Sequence, residues 1–152
     1  TGVQTCALPI CYILCKLTEE FNCSVSFDPK PYKQILDSGK EWNGSGGHCN
    51  FSDKNTRGDN GLDEIQNLCN KFNTGYALLL TCCGKNNHTR MTGLNETAKL
   101  DQFTVGYGNR GASVRIPHNV LNDKKGYLEF RVPAANVDPY AITSMMMFVA
   151  YS

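Results

Sequence analysis

The sequence lacks any apolar run long enough for a transmembrane helix. It also lacks an imbalance of charge. Fifteen basic residues face 14 acidic ones, for a net charge of +1, so nothing invites a nucleic-acid or membrane surface as partner. It has no CxxC pair, although eight cysteines are present. Cys11 and Cys15 could share a helix face, but the His48-Cys49 neighbours do not have the spacing of common zinc sites. No secretory signal is recognisable, and Cys82 directly precedes Cys83. That pattern predicts reduced thiols and a cytoplasmic protein rather than a disulfide framework. Internal repeats and low-complexity segments are absent.

What is there suffices for one packed domain. The chain has 152 residues and a 41% hydrophobic fraction. Apolar spacing at Tyr12, Ile13, Leu14, Leu17 and Phe21 predicts a helix over 11–23, with Glu19 and Glu20 outside. CSVSF (23–27) alternates as a short strand that DPKP (28–31) stops. YKQILDSGKE (32–41) reads as a polar loop or a single helical turn. WNGSGGHCNFS (42–52) is a glycine loop leading into a strand with His48, Asn50 and Ser52 on one face. Asn60-Gly61 opens a helix with inner face Leu62, Ile65, Leu68, Cys69 and Phe72. TGYALLLTCC (74–83) reads as a buried strand, GKNNH (84–88) as a turn and TRMTGLNET (89–97) as a loop hinged at Gly93. Phe103 to Tyr107, Gly111 to Ile116 and GYLEFRV (126–132) read as strands, with PHNVLNDKKG (117–126) as a hairpin-like connection. Asp138-Pro139 starts a final helix. Adjacent strands without intervening helices predict an α+β fold, an antiparallel or mixed sheet flanked by helices.

Four stretches hold polar residues that surface position does not readily explain. In NGSGGHCNFS, glycines allow close backbone approach to a ligand. TRMTGLNET offers Arg90 and Glu96. In GNRGASVRIP, Arg110 and Arg115 are five apart. A regular strand puts them on opposite faces, whereas a bulge at Gly111 would turn both inward. In GYLEFRV, Glu129 and Arg131 share a face opposite Leu128 and Phe130, as an exposed ion-pair ladder or as groups aimed into a cleft. Together these supply one histidine, two glutamates and four arginines. Guanidinium groups fork onto carboxylates or phosphates, and His with Glu suits magnesium or manganese. Such a set fits a nucleotide-dependent transferase or ligase.

FDPKP, WNGSGGHCNFS, RMTGLNET, NRGASVRIP and GYLEFRVPAANVDPY, in this order, resemble the C-terminal catalytic domain of glutamine synthetase. The FDPKP and NGxGxHxNFS forms are similar to the eukaryotic-type (type II) branch. The resemblance runs from about Tyr12 to about Met145. It implies the guanido-kinase-like α+β fold of that domain. It also implies ATP-dependent ligation of glutamate and ammonia through γ-glutamyl phosphate, with Mg2+ or Mn2+, in a cytoplasmic homo-oligomer of stacked rings, a decamer.

Residue by residue, the resemblance makes His48 and Glu129 metal ligands. It assigns Asn50, Phe51, Ser52 and Tyr127 to the nucleotide, and Asn43, Gly44, Arg90 and Arg131 to substrate glutamate. Arg110 and Arg115 would neutralise the transferring phosphoryl group, Arg110 also touching substrate and Arg115 the nucleotide. Glu96 would lie in a flap and accept a proton from ammonium. The chain departs from the family pattern at Phe130, where an acidic residue is usual, at Val132, usually arginine, at Asn95 and at the Cys82-Cys83 pair. The resemblance also implies that an amino-terminal β-grasp domain and upstream glutamate-bearing strands are missing from residues 11–152. TGVQTCALPI (1–10) resembles a translated sequencing adapter and is left out of fold reasoning. A γ-glutamyl ligase using another amine, and a non-catalytic relative of the same fold, are the alternatives.

Overall fold

A computed structural model describes residues 7–32, 39 and 41–152. The elements are α1 (Ala7–Glu20), β1 (Cys49–Phe51), α2 (Gly61–Thr74), α3 (Tyr76–Leu80), β2 (Val105–Tyr107), β3 (Val114–Ile116), α4 (His118–Asp123), β4 (Leu128–Phe130) and α5 (Pro139–Tyr151). The strands form one mixed sheet in the order β1-β4-β3-β2. β4 runs antiparallel to both β1 and β3, and β2 is parallel to β3. The α+β expectation therefore holds in its mixed-sheet form.

Strand alternation divides the sheet into two faces. Val114, Ile116, Leu128, Phe130 and Phe51 point to one side and are buried. There they meet Ile65, Leu68 and Phe72 of α2 and Ile142, Met146 and Val149 of α5. The Phe72 ring stands edge-on to Phe51 at 6.0 Å and to Phe130 at 5.8 Å. The intervening residues turn to the other side. Register sets Asn50 opposite Glu129, and Glu129 opposite Arg115, in one row across three strands.

Helix α2 buries the face its spacing predicts. α5 starts where predicted, with the Asp138 carboxylate accepting from Tyr140 N at 2.8 Å and Ala141 N at 3.2 Å. Other expectations fail for physical reasons. Residues 23–27 are not a strand; alternation makes a strand only where a neighbour supplies hydrogen bonds, and among the described residues none does. TGYALLLTCC is the short helix α3 rather than a strand. Its buried Tyr76, Leu79 and Cys83 follow i, i+3, i+7 spacing, and alanine and leucine favour helix over strand. PHNVLNDKKG is not a hairpin but the helix α4, which buries Val120 and ends at left-handed Lys124. Gly111 lies in a turn rather than a bulge. Helix α1 forms, but its apolar residues Tyr12, Ile13, Leu14 and Leu17, and Phe21 just beyond it, remain exposed, so it is no amphipathic cover for the core. Residues 33–38 and 40, inside the polar stretch 32–41, lie outside the described residues, as do 1–6 of the adapter-like segment.

Phe72 links the helical layer to two strands. Phe72→Ala is expected to destabilise the fold by about 3–5 kcal/mol, read as a shift in the urea midpoint. A loss below about 1 kcal/mol would show that this ring does not join the two layers.

Candidate active site

The polar face of the sheet is completed by loops that its own sequence folds locally. In the FDPKP stretch, the Asp28 carboxylate accepts from Lys30 N at 2.8 Å and from Asn86 Nδ2 at 3.0 Å. The Pro29 carbonyl accepts from Ser45 N at 2.7 Å. This holds the start of the glycine loop. The loop then runs antiparallel to the chain after β4, with Gly47 N donating to the Pro133 carbonyl at 2.9 Å and Ala135 N to the Ser45 carbonyl at 3.1 Å. Glycine is required at 44 and 46 by close approach. A Cβ on Gly44 would run into the Arg90 side chain, and one on Gly46 would lie 2.7 Å from His48 Nε2 and 2.9 Å from Arg90 Nη1.

Three side chains converge on the Glu129 carboxylate. His48 Nδ1 lies 3.2 Å from Oε1, and Arg131 Nη1 donates to the same oxygen at 3.1 Å. Arg115 Nε lies 2.5 Å from Oε2. Those last two atoms are buried and make no aligned hydrogen bond, so their contact is an ion pair without the directional component. Arg131 is braced from behind, its Nε donating to the Arg110 carbonyl at 3.0 Å. The Glu129 and Arg131 side chains are each only 10% exposed, against 25% for Arg115 and 33% for His48. The pair on one strand face is thus a buried cluster, not an exposed ladder.

Two partners meet His48 Nδ1: the Glu129 carboxylate at 3.2 Å, which favours a proton there, and Arg131 Nη1 at 3.4 Å, which can only donate and favours a lone pair. Nε2 lies on the side of Gly46. The His48 pKa is lowered from 6.5, first by burial and then by the Arg131 and Arg90 charges, against the opposing pull of Glu129. A neutral imidazole with a free lone pair can ligate a metal.

Arg90 is buried and has no acidic partner among the described residues. Its Nη2 donates to the carbonyls of Arg131 at 3.1 Å, Val132 at 2.7 Å and Pro133 at 3.2 Å. Burial, aided by Arg131, lowers its pKa to about 10, so it stays cationic at neutral pH.

The remaining expected residues lie around this cluster. Asn50 is exposed beside Glu129 in the register row. Phe51 turns its ring into the core, leaving its backbone on the site side. Ser52 Oγ accepts from Arg57 Nη1 at 3.3 Å. Tyr127 packs against the core edge, Asn43 is exposed and Gly44 half-buried. Arg110 and Glu96 are not drawn in. They face each other at 3.7 Å while 61% and 66% exposed, a pairing of small energetic weight. Glu96 and Asn95 both hold positive φ, at 59° and 52°. Sequence reasoning missed Asn87, buried beside Arg90 and joined to it. The signal was its i, i+3 spacing from Arg90 within GKNNHTR. The three thiols packed at the core are not reactive groups: burial pushes Cys49 up to about 11 and Cys69 and Cys83 up to about 12.

The lowered His48 pKa carries a sign. Above 6.5 the imidazole is neutral both folded and unfolded, and it contributes nothing to pH dependence. As pH falls through that value, the unfolded chain takes up a proton that the folded one resists, so stability declines toward acid. His48→Gln is expected to flatten this part of the profile in urea titrations between about pH 5 and about pH 8. Identical acid slopes in both proteins would refute a His48 held neutral by the fold.

No family model matches the chain. A curated glutamine synthetase of Gallus gallus is 43% identical over 140 residues, 90% of this chain and 36% of that protein. The cytosolic isozyme 1-3 of Arabidopsis thaliana is 42% identical over 135 residues, and the enzyme of Emericella nidulans 40% over 135. Among solved structures, Plasmodium falciparum glutamine synthetase superposes with a TM-score of 0.69 at 23% identity, over 92% of this chain and 28% of that one; this likeness bears on the fold. The chain spans little more than a third, 36%, of the length of the curated relatives it matches. By sequence, then, nine-tenths of the chain is similar to one segment of eukaryotic glutamine synthetases.

Proposed function

We propose that this segment serves, within a longer polypeptide, in a glutamate–ammonia ligase that makes glutamine with ATP through γ-glutamyl phosphate. Residues 11–152 are then part of the catalytic domain. A β-grasp domain and further acidic strands lie outside it, and residues 1–10 are adapter-derived. The observation that supports this most is the cluster itself: a buried carboxylate held by an imidazole and two guanidinium groups, with a third guanidinium fixed beside them.

The roles follow from position. Arg115 and Arg131 oppose negative charge on transferring phosphoryl and carboxylate groups. Arg90, without an acidic partner, offers Nη1 toward the glycine loop and suits a substrate carboxylate. Asn43 and Gly44 line the approach to it. Asn50, the Phe51 backbone, Ser52 and Tyr127 border the nucleotide. Glu96 sits on a strained exposed loop from which it can close over ammonium, and Arg110, exposed beside it, serves the transferring phosphoryl group and the substrate.

The donor set fits a divalent ion only in part. His48 Nδ1 and Glu129 Oε1, 3.2 Å apart, have the spacing of two ligands on one Mg2+ or Mn2+. Among the described residues no group of three or more His, Cys, Asp and Glu side chains is placed to hold a metal. Such an ion would neutralise phosphate charge, and its remaining ligands must come from outside this segment. The assembly we propose is a cytoplasmic homo-oligomer of stacked rings; among the described residues no helix is long and apolar enough to cross a membrane.

The full-length protein containing this segment is expected to release phosphate only when ATP, glutamate and ammonia are all present. Glu129→Gln should lower divalent-ion affinity at least about tenfold and turnover with it. The 152-residue chain alone should give no glutamine. Turnover independent of ammonia would point to another amine. A full-length protein that folds without any turnover would make it a non-catalytic relative.

A further inference from the structure

Asn87 is a buried polar side chain, 5% exposed, to which the roles above assign nothing. Both ends of its amide are used. Nδ2 donates to the Val132 carbonyl at 2.7 Å, and Oδ1 accepts from Arg90 Nε at 3.3 Å. The orientation is fixed by its partners, because a carbonyl can only accept and a guanidinium N–H can only donate. The same Val132 carbonyl accepts from Arg90 Nη2 at 2.7 Å. Asn87, Arg90 and Val132 thus form a closed triangle.

Local sequence builds it. Asn86 takes a left-handed conformation, φ 57°, and its side chain donates to Asp28. The single helical turn Asn87–Thr89 follows, with Arg90 N donating to the Asn87 carbonyl at 3.1 Å. That turn sets Asn87 and Arg90 on one side, three residues apart. Arg90 is then held along its Nε/Nη2 edge by neutral acceptors only. Its Nη1 remains directed at Gly46, where a Cβ would lie 2.9 Å away.

We infer that Asn87 is a positioning residue: it fixes the Arg90 guanidinium toward the glycine loop while leaving its charge unneutralised, ready for a substrate carboxylate. Aspartate at 87 would fail twice. It would set an acceptor against the Val132 carbonyl, and its charge would cancel that of Arg90. An apolar residue would orphan both the Arg90 Nε–H and part of the carbonyl's bonding. This inference rests on the ligase function proposed above.

The test uses the full-length protein with Asn87→Ala and Asn87→Asp. Val120→Ala, a cavity under α4 with no contact to the cluster, serves as a stability control. In N87A the glutamate KM should rise about tenfold or more, with kcat and the ATP KM changed less than about twofold. V120A should shift the thermal midpoint and leave the glutamate KM alone. In a ligand-free cryo-EM structure of N87A, the Arg90 guanidinium should have left its place beside Gly46. N87D carries both readouts where N87A does not fold. An unchanged glutamate KM, equal shifts in both KM values, or Arg90 unmoved in the variant structure would each overturn the inference. Should the unmutated protein turn over no glutamate, the ligase function fails, and the position of Arg90 in N87A still decides the role of Asn87.

Discussion

The Glu129 carboxylate is the constraint on which the rest of the structure depends. A carboxylate this far from water costs several kcal/mol unless it is paired. Three elements deliver the pairing. β3 presents Arg115 from the neighbouring register position, β4 itself presents Arg131 two residues on, and the glycine loop returns His48 to Nδ1 contact. Each delivery depends on sheet register. A slip of one residue in β4 would send Glu129 toward Phe72 and Phe51, and bring Leu128 or Phe130 out among guanidinium groups. The aromatic packing on one face and the ionic cluster on the other therefore select the same alignment.

That shared selection explains how strands of three residues each can hold a site. Ladder hydrogen bonds in so small a sheet are few. The apolar face is locked by α2 and α5, and the polar face by loops bonded to the backbone after β4. Residues 131–135 are central to this second locking. Their carbonyls and amides bind Arg90, Asn87, the glycine loop and the Cys83 carbonyl. Here the chain departs from the family pattern at Val132, and the departure is buried: the Val132 side chain is fully inside the core, while its carbonyl does the work of orienting Arg90. Phe130, another departure, likewise points into the apolar layer against Phe72.

Much of this was legible in the sequence, and the exceptions share a cause. Period-two alternation in GYLEFRV was enough to put Glu129 and Arg131 together, because strand geometry alone fixes that. The inner face of α2 was legible from its 3.6-residue period, and α5 from Asp138-Pro139. The errors fell where one pattern permits two structures. A run such as YALLL is apolar in either a strand or a helix, and only the buried Tyr76–Leu79–Cys83 spacing separates them. CSVSF alternates properly and remains unpaired, because pairing is not a property of the strand itself. Five-residue separation left Arg110 and Arg115 open between two faces; the turn at Gly111 leaves Arg110 in solvent while β3 carries Arg115 inward. Asn87 left only a faint signal, its i, i+3 spacing from Arg90. Its other partner is the Val132 carbonyl, a backbone group that every residue has and no motif records.

The cluster also links two kinds of ligand. Three guanidinium groups against one carboxylate make this face locally cationic in a chain whose net charge is only +1. The arginines that suit an anion are the same ones that occupy both oxygens of Glu129. A cation at His48 and Glu129 must therefore compete with Arg115 and Arg131 for the carboxylate. An anion that draws either arginine toward itself releases an oxygen of Glu129 and favours the cation. By reciprocity, a cation on Glu129 frees the arginines and favours the anion. Arg90 stands outside that exchange, because carbonyl oxygens and Asn87 hold it and, among the described residues, no carboxylate does. The segment thus joins one guanidinium fixed in advance to two that are available only when charge on the sheet face is redistributed.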